Sequence, residues 1–164
     1  MAVLERGAQA PEFALGDVDD QQCSLSEVLK RGPLVVAFIQ TACPICDLVM
    51  PYLNRLVEAY GREGWALWVI SQDDSEASRR YAQRFRAAFP LVVDGAGWPT
   101  SRAYDPPVTP TLFFIEPSGR VEQVGIGFSK DDLNEVSRRI AEHLGVTPMV
   151  VAERGDGNPD LRPG

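Results

Sequence analysis

The strongest constraint on the fold is the alternation of short apolar runs with stretches of helical periodicity. Three runs have the continuous hydrophobicity of strands buried on both faces. They are PLVVAFIQ (33–40), WALWVIS (65–71) and LVVD (91–94). Between them, apolar residues recur at spacings of three and four, from Cys46 to Tyr60 and from Tyr81 to Phe89. This alternation predicts parallel strands that are joined by helices.

The second half of the chain adds a hairpin and a closing helix. TLFFIE (111–116) and VEQVGIGF (121–128) flank the turn PSG, and a helical stripe from Leu133 to Leu144 follows. Residues 10–29 have the pattern of a short hairpin followed by one helical turn. We therefore predict an α/β fold with a central mixed β-sheet, helices on both faces and an N-terminal hairpin extension.

The length fits one domain with a short tail. The chain has 164 residues, of which 45% are hydrophobic and 24% charged, an ordinary balance for a globular domain. We assign residues 1–146 to this domain. Residues 147–164 carry few large side chains and much glycine, proline and charge, so we expect a poorly ordered tail.

Charge and hydropathy exclude several classes of protein. The formal net charge of -7 argues against a nucleic-acid-binding protein. No apolar run approaches the length of a membrane span. The opening MAVLERGAQAPEF lacks the apolar core of a signal peptide, so we expect a cytoplasmic protein.

The cysteines indicate redox chemistry more than a structural site. The chain has three, Cys23, Cys43 and Cys46, and the single histidine His143. A tetrahedral zinc site would need all four to converge from distant segments, so we expect no metal and no cofactor. A disulfide across two residues closes too short a loop to stabilise the fold much, and a reducing cytoplasm disfavours it. A reactive dithiol remains.

The position of the pair in the pattern fits this chemistry. Cys43 follows a buried strand, and Pro44 is favoured at the first position of a helix. A helix N-terminus stabilises an exposed thiolate by roughly 0.3–1 kcal/mol. Cys46 lies one turn later, on the apolar face. Thiol–disulfide exchange requires such a pair, an exposed attacking thiol and a shielded resolving one.

These motifs resemble a known family. The strand–CxxC–helix unit resembles the thioredoxin fold, and residues 7–46 resemble the opening of the AhpC/TSA and TlpA-like (redoxin) branch. Pro51 matches the proline that kinks the active-site helix in such proteins. The segment VTPTLFFIEPSGR matches the one that holds the family's cis-proline, which places it at Pro110, after Thr109. The resemblance covers about residues 7 to 145.

The resemblance implies a thiol–disulfide oxidoreductase. Cys43 and Cys46 would be catalytic, and the residues that contact substrate would be Pro44 and Ile45 between them and Thr109 and Pro110 opposite. The implied partners are a disulfide-containing protein or a small-molecule thiol, and an external dithiol reductant.

Two carboxylates of the family are absent from this chain. Many TlpA-like proteins have a glutamate three residues after the second cysteine, where this sequence has Val49. Thioredoxins bury an aspartate six residues before the first cysteine, where this sequence has Ala37. Asp47, next to Cys46, is a candidate replacement. The alternative is that Asp47 is an exposed carboxylate in the first turn of the helix.

Two other functions stay open at this point. A peroxiredoxin, with antioxidant activity, places its cysteine in a P-x-x-x-T/S-x-x-C pattern; here Val36 and Gln40 hold the proline and hydroxyl positions, and Thr41 is one residue out of step. A thioredoxin-fold binding module or metal carrier would use Cys43 and Cys46 for a soft ion such as Cu(I).

Overall fold

The computed structural model describes residues 4–164. The strands in this range are β1 (Ala14–Gly16), β2 (Gln22–Ser24), β3 (Leu34–Ile39), β4 (Ala66–Ser71), β5 (Leu91–Val93), β6 (Thr111–Ile115), β7 (Val121–Ile126), β8 (Phe128–Ser129) and β9 (Leu161–Arg162). The helices are α1 (Leu25–Val28), α2 (Pro44–Tyr60), α3 (Ser75–Phe85), α4 (Pro99–Tyr104) and α5 (Lys130–Leu144). None of these helices is long and apolar enough to cross a bilayer.

Five strands form the central sheet, in the order β5–β4–β3–β6–β7. β3 pairs with β4 in parallel and with β6 antiparallel, so the sheet is mixed. β1 and β2 form an antiparallel hairpin that precedes the sheet in the chain. The predicted mixed sheet with an N-terminal hairpin is confirmed.

The central strand β3 carries a core on each face of the sheet. Its six residues are all buried, as the continuous apolar run predicts. The side chains of Val35, Ala37 and Ile39 pack with those of α2, α3 and α5. Those of Leu34, Val36 and Phe38 pack with the N-terminal hairpin, α1 and α4. Helices therefore cover both faces, as predicted.

Three local features differ from the expectations. α4 is not predicted, because it is too short to show helical periodicity in the sequence. The buried Asp94 carboxylate stabilises the start of α4 by accepting hydrogen bonds from the Thr100 and Ser101 backbone amides. Asp74 is the N-cap of α3, a feature that the spacing of the apolar residues does not indicate. The run 121–128 is divided, because Gly127 adopts a positive φ of 74° between β7 and β8.

The segment after α5 also differs from the expected poorly ordered tail. Val151 and Ala152 are buried in the core beside α2 and α5. Further along, β9 pairs with β8. The residues that dock this segment are too few and too widely spaced to give a hydrophobic pattern, which is why the sequence does not reveal the packing.

A buried lysine holds the same segment. Lys130, the first residue of α5, is only 1% exposed. Its Nζ donates to the Glu153 and Asn158 carbonyls at 2.9 and 3.0 Å and forms ion pairs with Asp156 at 2.7 Å and Asp160 at 3.2 Å. The hydrogen bond from Lys130 holds the pKa of Asp156 well below its usual range. The lysine therefore finds in the tail the partners that a buried ammonium needs.

Lys130→Met should destabilise the protein more than Lys30→Met. The first change leaves Asp156 and two carbonyls without their donor, whereas Lys30 is 70% exposed in a surface ion pair with Glu27. Such surface pairs contribute about 1 kcal/mol or less. Urea denaturation at pH 7 measures both free energies of unfolding. Equal losses for the two variants would contradict the role assigned to Lys130.

Candidate active site

Cys43 is the N-cap of α2, directly after the central strand. β3 ends at Ile39, and Pro44 is the first residue of the helix. The Cys43 sulfur accepts a hydrogen bond from the Cys46 backbone amide at 3.1 Å. The predicted position of Cys43 at a helix N-terminus is confirmed. The half-buried sulfur thus meets one of the unpaired amides of the first turn, a group that stabilises negative charge.

Cys46 is in a different environment. Its side chain is 0% exposed and belongs to the core between the sheet and α2. This burial raises the pKa of the Cys46 thiol well above its ordinary value, and the hydrogen bond with Cys43 raises it further. The two thiols therefore differ in access to solvent.

The cis-proline segment lies opposite the pair. The Thr109–Pro110 peptide bond is cis, as the resemblance implies. The Cys43 sulfur is 3.5 Å from the Thr109 carbonyl oxygen and 3.7 Å from the Thr109 hydroxyl. This proximity follows from the sheet, because Thr111 in β6 pairs with Phe38 in β3. The residues that precede β6 are thereby brought to the end of β3, where Cys43 follows.

Pro44 and Ile45 form the surface between the cysteines. Pro44 is exposed beside Cys43, and Ile45 is half-buried against the core. The two residues are therefore next to the half-buried Cys43 sulfur, within reach of a substrate that approaches it. Substrate contact by Pro44, Ile45, Thr109 and Pro110 stays a prediction.

No carboxylate occupies either of the two family positions. Val49 is 2% exposed and Ala37 is 1% exposed, and both lie in the core. Asp47 is engaged on both oxygens: Tyr81 Oη donates to Oδ1 at 2.9 Å, and Arg84 Nη2 donates to Oδ2 at 3.2 Å. Asp47 therefore connects the first turn of α2 to α3. This favours the structural interpretation of Asp47, although its side chain is only 29% exposed.

Sequence reasoning missed the two partners of Asp47. In the sequence Tyr81 is only part of an apolar stripe, and the helical spacing gives no indication of a role for Arg84. Burial raises the pKa of the Tyr81 hydroxyl, and its hydrogen bond to Asp47 raises it further. A tyrosine in an apolar stripe buries its ring, and its hydroxyl then usually has a hydrogen-bond partner. The tyrosine at position 81 is therefore the signal that could have indicated this contact.

Cys23 and His143 lie away from the pair. Cys23 is 4% exposed and belongs to the core on the opposite face of the sheet. Burial raises the pKa of its thiol to about 11. His143 lies beside Glu122 and the Phe114 ring. Within residues 4–164, no cluster of three or more His, Cys, Asp or Glu side chains is arranged to hold a metal ion.

The sequence is similar to proteins of one redox family. Residues 6–124 match the sequence model of the AhpC/TSA family. The thiol-disulfide oxidoreductase ResA of Geobacillus kaustophilus (strain HTA426) is 31% identical over 129 residues, which cover 77% of this chain and 73% of the relative.

Two solved structures share the fold. A thiol-disulfide oxidoreductase from Bacteroides fragilis superposes with a TM-score of 0.70 at 22% identity, covering 81% of this chain and 99% of that one. Peroxidoxin BcpB from Mycobacterium tuberculosis superposes with a TM-score of 0.70 at 21% identity, covering 87% and 97%. At these identities the likeness is one of fold alone.

Alkylation near pH 7 should modify Cys43 well before Cys23 and Cys46. Both of the latter are buried, and a pKa of about 11 for Cys23, against an ordinary 9.0, lowers its thiolate fraction about 100-fold. Because a raised pKa keeps a thiol protonated at neutral pH, labelling of these two should increase only at alkaline pH. Mass spectrometry of iodoacetamide-treated peptides over time measures the order. Faster labelling of Cys46 would contradict the assignment.

Tyr81→Phe should lower the free energy of unfolding by about 1.5–3 kcal/mol, the range for a hydrogen bond to a charged group. The variant keeps the buried ring and removes only the hydroxyl that donates to Asp47. Arg84→Met is the matched control, because Arg84 contacts the same carboxylate but is 61% exposed. We expect the control to lose about 1 kcal/mol or less. Urea denaturation compares the two, and a larger loss for Arg84→Met would reverse the assignment.

Proposed function

The chain belongs to the AhpC/TSA family and is a thiol–disulfide oxidoreductase, and from that premise we propose that it reduces disulfide bonds through Cys43 and Cys46. The observation that carries the proposal is the asymmetry of the pair. Cys43 is half-buried at the N-terminus of α2, with an amide donor at 3.1 Å, whereas Cys46 is fully buried one turn later.

The proposed reaction has two exchange steps. The Cys43 thiolate attacks one sulfur of a substrate disulfide, so that a mixed disulfide forms and the other substrate sulfur leaves as a thiolate that takes up a proton. The Cys46 thiol then loses its proton and attacks the Cys43 sulfur, which releases the second substrate thiol. The substrate gains two electrons and two protons, and the enzyme is left with a Cys43–Cys46 disulfide. An external dithiol reduces this disulfide and completes the cycle.

The surroundings of Cys43 support exchange over peroxide reduction. Val36, at the proline position of the peroxidase pattern, is 0% exposed in the core on the other face of the sheet. Gln40, at the hydroxyl position, donates its side-chain amide to Gln72 at 2.9 Å. Neither residue supplies the hydroxyl that the peroxidase pattern places beside its cysteine, and the hydroxyl that does lie near Cys43 belongs to Thr109 of the cis-proline segment, 3.7 Å from the sulfur. The Thr109 carbonyl beside the sulfur instead offers a backbone acceptor to an approaching chain.

The partners follow from the same chemistry. We propose that the substrate is a disulfide in a protein or a small molecule, which Pro44, Ile45, Thr109 and Pro110 would contact. Cytoplasmic location stays a prediction from the sequence. The location bears on the direction of thiol–disulfide exchange, since a reducing compartment keeps Cys43 and Cys46 in the dithiol form.

Cys46→Ser should trap the mixed disulfide on Cys43, because the resolving thiol is absent. Non-reducing electrophoresis with a disulfide-containing polypeptide measures the adduct, and dithiothreitol should release it. Cys23→Ser is the matched control: it also removes a buried thiol, but on the opposite face of the sheet, and should turn over normally. Cys43→Ser should form no adduct.

Assays of the wild-type protein and of Cys43→Ser distinguish disulfide exchange from peroxidase activity. With dithiothreitol as the recycling reductant, we expect disulfide reduction that depends on Cys43 and slow consumption of hydrogen peroxide. Rapid peroxide turnover that depends on Cys43, with little disulfide reduction, would replace this proposal by the peroxiredoxin alternative.

A further inference from the structure

The segment Leu161–Gly164 runs along the loops that border the cysteine pair. β9 pairs antiparallel with β8, so that Arg162 lies opposite Phe128. The approach is closest at Gly127: a Cβ placed there would lie 2.7 Å from the Arg162 carbonyl oxygen and 3.0 Å from the Gly164 nitrogen. Only glycine at position 127 admits this segment of chain.

The same segment reaches the residue that faces Cys43. A Cβ placed on Gly164 would lie 2.6 Å from Val108 Cγ2 and 2.7 Å from the Thr109 carbonyl oxygen. The Cys43 sulfur is itself 3.5 Å from that oxygen. Gly164 and the nucleophilic sulfur therefore lie against the same carbonyl group.

This location coincides with the backbone edge that an extended polypeptide would use. A polypeptide that docks on an exposed edge gains its affinity from main-chain hydrogen bonds. The edge beside Cys43 consists of the Val108–Thr109 backbone. Gly127 lies next to this edge, because the Gly127 amide donates a hydrogen bond to the Pro110 carbonyl oxygen at 2.8 Å. The chain's own segment already occupies one side of this edge.

We propose, on the basis of the exchange reaction assigned above, that residues 161–164 determine substrate specificity by occupying the polypeptide-docking edge at Val108–Thr109. A small disulfide reaches Cys43 with the segment in place. An extended polypeptide has to displace the segment first, so its apparent affinity is reduced by the fraction of molecules in which the edge is covered.

The way the segment is held fits a displaceable occupant. The preceding residues are fixed by the buried Lys130, whose Nζ contacts Glu153, Asp156, Asn158 and Asp160. Residues 161–164, in contrast, are all exposed, and Leu161 is 63% exposed. The anchor keeps the segment beside the site, while residues 161–164 bury little surface that would oppose their release.

A chain that ends at Asp160 tests the proposal, because it lacks residues 161–164 and keeps every partner of Lys130. Two substrates are compared with dithiothreitol as reductant: insulin, whose disulfides belong to a polypeptide, and 2-hydroxyethyl disulfide, which is small. We expect kcat/KM for insulin to increase roughly five- to tenfold, as when a covered state of about 80–90% population is removed. The value for the small disulfide should stay within about twofold on the same argument.

A variant that keeps residues 161–164 guards against an effect of truncation on folding. Gly164→Val should displace the segment, because its Cβ would clash with Val108 and the Thr109 carbonyl, and should reproduce the selective increase for insulin. Gly16→Val is the matched control: a Cβ there meets no atom within 4 Å, and both rates should be unchanged.

Each outcome has one meaning. An insulin rate that is unchanged in both displaced variants, or a change that is equal for the two substrates, would overturn the proposed role of residues 161–164. If the wild-type protein reduced neither disulfide, the proposed function itself would fail, and that result is distinct from the first.

Discussion

The central place of β3 in the sheet is the constraint on which the site depends. The strand pairs on one side with β4 and on the other with β6, and both faces of it are covered. Its C-terminal end therefore has a fixed position relative to β6. Cys43 follows that end, and Thr109 and Pro110 precede β6, so the pairing of the two strands brings the Cys43 sulfur to 3.5 Å from the Thr109 carbonyl oxygen.

The start of α2 then separates the two thiols by environment. An N-cap side chain lies outside the helix, where it meets free amides, and a side chain one turn later lies on the face that the helix buries. Cys43 and Cys46 are in these two positions. Backbone geometry and burial thus produce an accessible nucleophile and a shielded resolving thiol, although neither of the family's carboxylates is present. Asp47, held by Tyr81 and Arg84, instead joins α2 to α3.

The segment after α5 contributes both to the stability of the fold and to the access of a substrate to Cys43. The Lys130 ammonium is buried and depends on carbonyls and carboxylates from residues 153–160. This anchoring brings the following residues to Gly127 and to the Thr109 carbonyl. A polar network in one part of the chain therefore determines what covers the edge beside Cys43, and the exposed residues 161–164 are the part that can be exchanged for a partner.

The sequence by itself determined the chain order of strands β3 to β7 and of helices α2, α3 and α5, the mixed sheet and the placement of Cys43 at a helix N-terminus. These follow from local patterns, namely continuous apolar runs, stripes at helical spacing, and a proline after the cysteine. The cis bond at Pro110 was carried over from the family resemblance on a motif that matches residue by residue.

Only the tertiary structure decided the pairing of Asp47 with Tyr81 and Arg84, the cap that Asp94 provides for α4, and the docking of the tail on Lys130. The contacts of Asp47 and Lys130 join residues far apart in the chain, and the contact of Asp94 is made to a helix too short to show periodicity. Periodicity reports which face of an element is buried, but it carries no information on which distant donor meets which acceptor. That choice is made by the packing of the complete chain.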